Sequence, residues 1–152
     1  MEAFAERLSA RDRLFLDLEG PNAPQHVAAL CFLDAKPLRD ATGSINLAQI
    51  RARIAARLHL VPRTRQRLGI VPIDQHPVWV DDAHFDLALH VLHEGLPKPG
   101  GERGLNKLVA RLLAEPLDRE RPLWELWVIE GLSRGRCAVL AKIHHCMVDG
   151  VG

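Results

Sequence analysis

Two apolar runs, residues 123–129 and 137–143, stand on either side of Gly131-Leu132-Ser133-Arg134-Gly135. Both are rich in Trp, Val, Ile and Leu, as strands are, and the connection has the length and the glycines of a hairpin loop. Two antiparallel strands are predicted there, so the fold must contain a sheet that buries them. The second strand leads straight into His144-His145, placing titratable groups where a buried strand gives way to a loop.

Helical patterns accompany this hairpin. Ser9-Ala10-Arg11-Asp12 has the spacing of a capping box; Leu14, Phe15 and Leu18 follow as an apolar stripe, and Gly20-Pro21 stops the helix. Residues 26–33 are a compact apolar run bounded by Pro24 and Asp34, predicted as a buried strand, and residues 36–44 read as loop. Leu47, Ile50, Ile54 and Leu58 recur at the helical period, with Pro62 as the far limit. Two short β-like pieces, 68–73 and 78–81, are broken by Pro72 and Pro77 and suit a sheet edge or the surface. Residues 96–104 hold two prolines and three glycines and read as a flexible connection. Leu105, Leu108, Val109, Leu112 and Leu113 form a further helical stripe, ended by Pro116. This order, without internal repeats, predicts an α/β (α+β) layer in which a mixed or mostly antiparallel sheet packs with helices.

Composition narrows the function. A chain of 152 residues, 47% hydrophobic and 26% charged, can bury one core. Its net charge of +1 supplies no field to draw it to nucleic acid. Cys31, Cys137 and Cys146 are an odd number without a Cys-x-x-Cys pair, which suits a reducing compartment, so a cytosolic location is expected. No apolar run approaches the ~20 residues of a membrane span, and the first residues lack the pattern of a signal peptide. Between Ala41 and Ile73 there is no Asp or Glu, yet Arg51, Arg53, Arg57, Arg63, Arg65 and Arg67 fall there. Such a stretch is either a solvated helix face or a surface for anionic lipid or CoA phosphates.

The chemistry concentrates in His144-His145-Cys146-Met147-Val148-Asp149-Gly150. Adjacent strand side chains point to opposite faces, so at most one of the two histidines can serve a substrate as a base. Imidazole suits that task because its ordinary pKa of ~6.5 lets the neutral ring accept a proton near physiological pH. Asp149 could hold an imidazole or brace the loop through an arginine, and Gly150 completes a turn. Three other readings stand beside this one. The histidines could be a buried pair with Asp149 as a turn residue. His145 and Asp149, four apart, could bind a metal, although no third ligand stands at a characteristic spacing. Cys146 could be a nucleophile, but a lone Cys beside His has no orienting group.

The His-His-x-x-x-Asp-Gly string after a strand resembles the motif of the CoA-dependent acyltransferase superfamily, which includes chloramphenicol acetyltransferases, peptide-synthetase condensation domains and wax ester synthase/diacylglycerol acyltransferases. Three further stretches point to the last branch. They are Leu8-Ser9-Ala10-Arg11-Asp12-Arg13-Leu14-Phe15-Leu16, Trp79-Val80-Asp81-Asp82 with His84-Phe85-Asp86-Leu87, and the 116–125 segment with its Pro122-Leu123-Trp124. The resemblance implies a chloramphenicol-acetyltransferase-like fold, with residues 1–152 as the N-terminal acyltransferase domain and a C-terminal domain absent from the chain. It implies direct acyl transfer from acyl-CoA to a long-chain alcohol or diacylglycerol, with no cofactor and no metal. His145 would be the general base, His144 supporting, Asp149 structural and Gly150 the turn, while Pro122, Leu123 and Trp124 are candidates for the substrate channel. The implied partners are a second polypeptide carrying the C-terminal half and a membrane or lipid-droplet surface. A carrier-protein-dependent acyltransferase of the same fold and a non-catalytic partner-binding module are the alternatives.

Overall fold

The computed structural model describes residues 5–148. Its elements in chain order are β1 (Glu6–Arg7), α1 (Ala10–Leu18), β2 (His26–Asp34), α2 (Leu47–Ala55), β3 (Gln66–Ile70), β4 (Pro77–Asp81), β5 (Val91–Gly95), α3 (Gly101–Ala114), β6 (Trp124–Glu130) and β7 (Arg136–His144), with short 3-10 turns between several of them. The predicted hairpin is β6–β7, antiparallel with Trp124 opposite Ile143 and Ile129 opposite Ala138. It forms the centre of a four-stranded sheet ordered β2-β7-β6-β5, in which β5 is parallel to β6 and the other pairs are antiparallel. The fold is therefore α/β with a mixed sheet, as the pattern predicts. A smaller sheet, β1-β4-β3, stands apart from it.

Strand alternation sorts the core. Ile129, Ala138 and Leu140 face α3 and pack with Leu96, Leu105, Leu108 and Leu112. Val128 and Cys137, one position out of step, face the other way and pack with Ala35, Ile45 and the half-buried Leu47 and Ile50 of α2. With both faces covered, β6 and β7 carry near-continuous apolar runs, the pattern of strands buried on two sides. A third cluster joins α1, the small sheet and the far end of β7: Leu8, Leu16, Trp79, Leu117, Leu123 and Cys146.

Several elements differ from the prediction. The 26–33 run is a strand but not a buried one; β2 is an edge strand, largely exposed, with Phe32 at 52% and Leu33 at 43%. The layers above and below the sheet centre on β6 and β7, and a short apolar run does not reveal which strand is left at the margin. The helix of residues 47–58 stops at Ala55, and Leu58–Leu60 and Pro62–Arg65 continue as 3-10 turns. β5 escapes the apolar-run criterion because Val91-Leu92 is followed by His93 and Glu94, and the β5–α3–β6 crossover supplies its parallel pairing.

Nor is 96–104 a flexible connection, since α3 begins within it at Gly101. One of its glycines answers a steric demand. Gly100 has φ +72°, and a Cβ there would lie 2.4 Å from the carbonyl oxygen of Gly131 in the hairpin loop. The start of α3 can thus rest directly on the β6–β7 turn. Gly100→Ala is expected to destabilise the chain by about 2 kcal/mol or more, through a backbone clash and a left-handed φ together. Urea unfolding of the two proteins at one pH measures it.

Candidate active site

Even-numbered side chains of β7 face α3, and this parity decides the fate of the histidines. Lys142 is 1% exposed and donates from Nζ to the carbonyls of Leu112 at 2.9 Å and Glu115 at 2.6 Å, with the Glu125 carboxylate 3.6 Å away. A cation thereby satisfies the terminal carbonyls of α3, where the helix dipole is negative. His144, two residues on, is fully buried. Its backbone N–H donates to the Leu123 carbonyl at 3.0 Å, and its Nδ1 accepts the Cys146 N–H at 3.1 Å, capping the 3-10 turn His145–Met147. Because Nδ1 accepts, the neutral ring carries its proton on Nε2, which lies 3.3 Å from Glu19 Oε1 at an angle short of hydrogen-bond geometry.

His145 is where the strand breaks. Its backbone N–H donates to the Gln25 carbonyl at 2.9 Å, just before β2. Its half-buried ring stacks on Phe15 of α1, with centroids 4.5 Å apart and planes 13° apart. Phe15 is delivered by the helix that Ser9 caps, with Oγ accepting the Asp12 N–H at 3.1 Å. The turn after His145 forms one wall of a cleft of about 500 Å³, shared with Ser9, Asp12, Arg63 and Trp79.

Behind the histidines, the Glu19 carboxylate receives Arg119 Nε at 3.0 Å and Nη2 at 2.8 Å on Oε2, and the Gln25 N–H at 3.2 Å on Oε1. Arg119 Nη2 also donates to the Leu16 carbonyl in the last turn of α1, at 2.8 Å. Burial pushes the Glu19 carboxyl up, but the Arg119 fork, the Gln25 N–H and nearby His144 outweigh it and hold it below its ordinary 4.5. For His144 burial wins over the attraction of Glu19 and keeps the imidazole below 6.5. Burial likewise lowers His26 and His90.

The structure therefore separates the two histidines, burying His144 and leaving His145 accessible. Leu123 belongs to the cluster beneath Cys146, and Pro122 and Trp124 are buried beside it. Trp124 stacks on His90 at 4.7 Å and donates from Nε1 to the Thr64 carbonyl. Asp149 and Gly150 lie outside the described residues. The arginine stretch is not a single solvated face: Arg51 donates to the carbonyls of Val91 and Ala88, and Arg63 lies over the Trp79 ring and pairs with Glu6. Among the described residues no group of three His, Cys, Asp or Glu side chains is placed to hold a metal ion, and no helix is long and apolar enough to cross a membrane. Glu19, Arg119, Gln25 and Lys142 are missing from the sequence reading. Glu19 and Arg119 stand 100 positions apart, and no local spacing marks the pair.

The chain matches the wax ester synthase/diacylglycerol acyltransferase catalytic domain over residues 8–152. The chain belongs to the wax ester synthase/diacylglycerol acyltransferase family. Two Mycobacterium tuberculosis relatives carry the names probable diacylglycerol O-acyltransferase tgs3, 38% identical across 95% of this chain, and probable diacylglycerol O-acyltransferase tgs1, 52% identical across 64% of it. The wax ester synthase/diacylglycerol acyltransferase of Marinobacter aquaeolei VT8 superposes with a TM-score of 0.79 at 36% identity, over 96% of this chain. The starter condensation domain of rhizomide synthetase, at 15% identity and a TM-score of 0.69 over 98% of this chain and 34% of that one, shares the fold. The chain spans 52% of the tgs3 relative, 21% of tgs1 and 34% of the Marinobacter structure.

Two measurements check this geometry. Burial drives the Cys146 thiol up to about 12 and also raises that of Cys137, while Cys31 is exposed. Alkylation of the native protein at pH 8 should label Cys31 readily and the other two only on unfolding, whereas fast labelling of Cys146 would restore it as a nucleophile. The second concerns acid. His26, His90 and His144 refuse protons in the native state that they accept once unfolded, so stability should fall as pH drops below about 6.5, and further as pH falls from 4.5 through the depressed folded pKa of Glu19. Urea midpoints at pH 7.5, 5.5 and 4 should decrease in that order.

Proposed function

We propose that the chain is the N-terminal part of an O-acyltransferase that moves a fatty acyl group from acyl-CoA to a long-chain alcohol or diacylglycerol, with His145 as general base. One observation carries the assignment of the base: of the adjacent histidines, His144 is fully buried and committed to the Cys146 N–H, while His145 is partly exposed, its ring held flat on Phe15. Family membership supports the donor and acceptor classes.

In this reading the neutral His145 imidazole takes the acceptor hydroxyl proton as its oxygen attacks the thioester carbonyl. The tetrahedral intermediate collapses with cleavage of the C–S bond, and the imidazolium returns the proton to the departing CoA thiolate. No acyl-enzyme and no cofactor are needed. Asp149 braces the loop and Gly150 lets it turn. Leu123 and Trp124 stiffen the wall from beneath, and the remainder of the enzyme closes a tunnel over His145. The exposed Arg53, Arg57 and Arg65 suit CoA phosphates or an anionic lipid surface.

The test is transfer from acyl-CoA to hexadecanol and to diacylglycerol by the chain assembled with the remainder of the enzyme. His145→Ala should lower kcat by about 100-fold or more while the chain keeps its fold, losing only the stack on Phe15. His144→Ala should instead lower the midpoint, because it opens a buried cavity and strands the Cys146 N–H. Equal transfer by wild type and His145→Ala would remove the base assignment.

A further inference from the structure

We infer that Glu19 and Arg119 are the positioning pair of the site, holding the His145 ring in its pose by tying the end of α1, the start of β2 and the His144 imidazole to one carboxylate. The inference rests on the reading of His145 as the base, and it deepens that reading.

His145 is held by two contacts, and each leads back to Glu19. The first is its backbone N–H on the Gln25 carbonyl, and the N–H of that same Gln25 donates to Glu19 Oε1. The second is the stack on Phe15, carried by α1; the C-terminal turn of that helix is anchored by Arg119 through the Leu16 carbonyl, while the same guanidinium grips Glu19 Oε2 with two nitrogens. A third connection runs through His144, whose Nε2 faces Glu19 Oε1 and whose Nδ1 sets the turn that begins at His145. The Glu19 side chain is only 6% exposed, so its charge needs Arg119. A carboxylate at this depth, accepting from Arg119 and Gln25 and facing the His144 imidazole, is costly to bury for packing alone. Its neighbours are Gln25, six residues on, and the distant Arg119 and His144, and all converge behind the His145 imidazole.

Geometry also dictates the residue types. Arg119 Nε and Nη2 reach one carboxylate oxygen while Nη2 also reaches the helix carbonyl, an arrangement a planar fork provides and a lysine ammonium does not. The accepting group must bear a charge to compensate the guanidinium, so glutamine, though isosteric, is an inadequate replacement.

The stack supplies a readout independent of turnover. In 1H–13C and 1H–15N spectra of the 152-residue chain, the His145 ring protons should be shifted upfield by Phe15, and His144 should show the neutral Nε2–H tautomer at pH 7. Phe15→Leu fixes the His145 position without a ring current. Glu19→Gln and Arg119→Lys are each expected to move the His145 ring signals toward that reference and to raise the apparent pKa spread or exchange broadening of His144, with native backbone dispersion elsewhere. Should Glu19→Gln not fold, Arg119→Lys carries the same test, because it keeps the positive charge and removes only the fork. Native His145 shifts in a folded Arg119→Lys chain would overturn the inference. In the assembled enzyme the pair should act on kcat, by about tenfold, with the KM for acyl-CoA little changed. Loss of transfer in His145→Ala alongside wild-type kcat in both Glu19→Gln and Arg119→Lys would overturn the positioning role and leave the base in place. If His145→Ala retained transfer while the ring signals still moved in the two variants, the base would be wrong and the structural tie to Glu19 would stand.

Discussion

Burial of the β6–β7 hairpin on both faces is the constraint on which the rest of the structure depends. Because α3 covers one side and α2 the other, every residue of β7 is assigned to a layer by its parity, and the register with β6 cannot drift. Lys142 and His144 share the α3 side with Ala138 and Leu140, so two polar groups are sent into an apolar layer and must find partners there. Lys142 finds the open carbonyls of the helix, and His144 finds the N–H of the turn it precedes. A slip of one residue would turn His144 outward and send its neighbour into the core. The choice of which histidine is buried is thus made by packing, several residues before the motif begins.

Four of the polar side chains that join segments follow one pattern. A charged or titratable side chain from one segment satisfies backbone groups of another: Lys142 the end of α3, Arg51 the start of β5, Arg119 the end of α1, Glu19 the approach to β2. Such contacts contribute specificity of arrangement, since a misplaced helix end would leave both the charge and its carbonyls unpaired.

Much of this was legible in the residues. The Ser9 cap, the hairpin and the α3 stripe each depend on spacings within a dozen positions, and all three are found where the pattern puts them. The divergence of His144 and His145 follows from strand geometry alone. What the residues did not disclose depends on contacts between distant segments. The exposure of β2 is set by how far the covering layers reach, the order at Gly100 by the approach of Gly131, and the Glu19–Arg119 pair by folding 100 positions of chain back on themselves. Val91–Gly95 has too little apolar content to declare itself a strand and is recruited by its parallel neighbour. The glycines of 96–104 illustrate the ambiguity best, because the same composition serves a mobile linker and a tight backbone contact.

The pairing of β2 with β7 has a consequence for how the chain comes into being. His26 lies opposite His144, so a strand made near the start of synthesis waits for a partner made 118 residues later. At the ~5–20 residues per second of a ribosome, that interval is roughly 6–24 s, far longer than a helix needs to form. During it α1 and α2 can form, yet Gln25 has no His145 amide to receive, and Glu19 has no Arg119 to neutralise it until residue 119 is made. The contacts behind His145 therefore cannot form until the strand that carries it has been made, however early the helices beside it are complete.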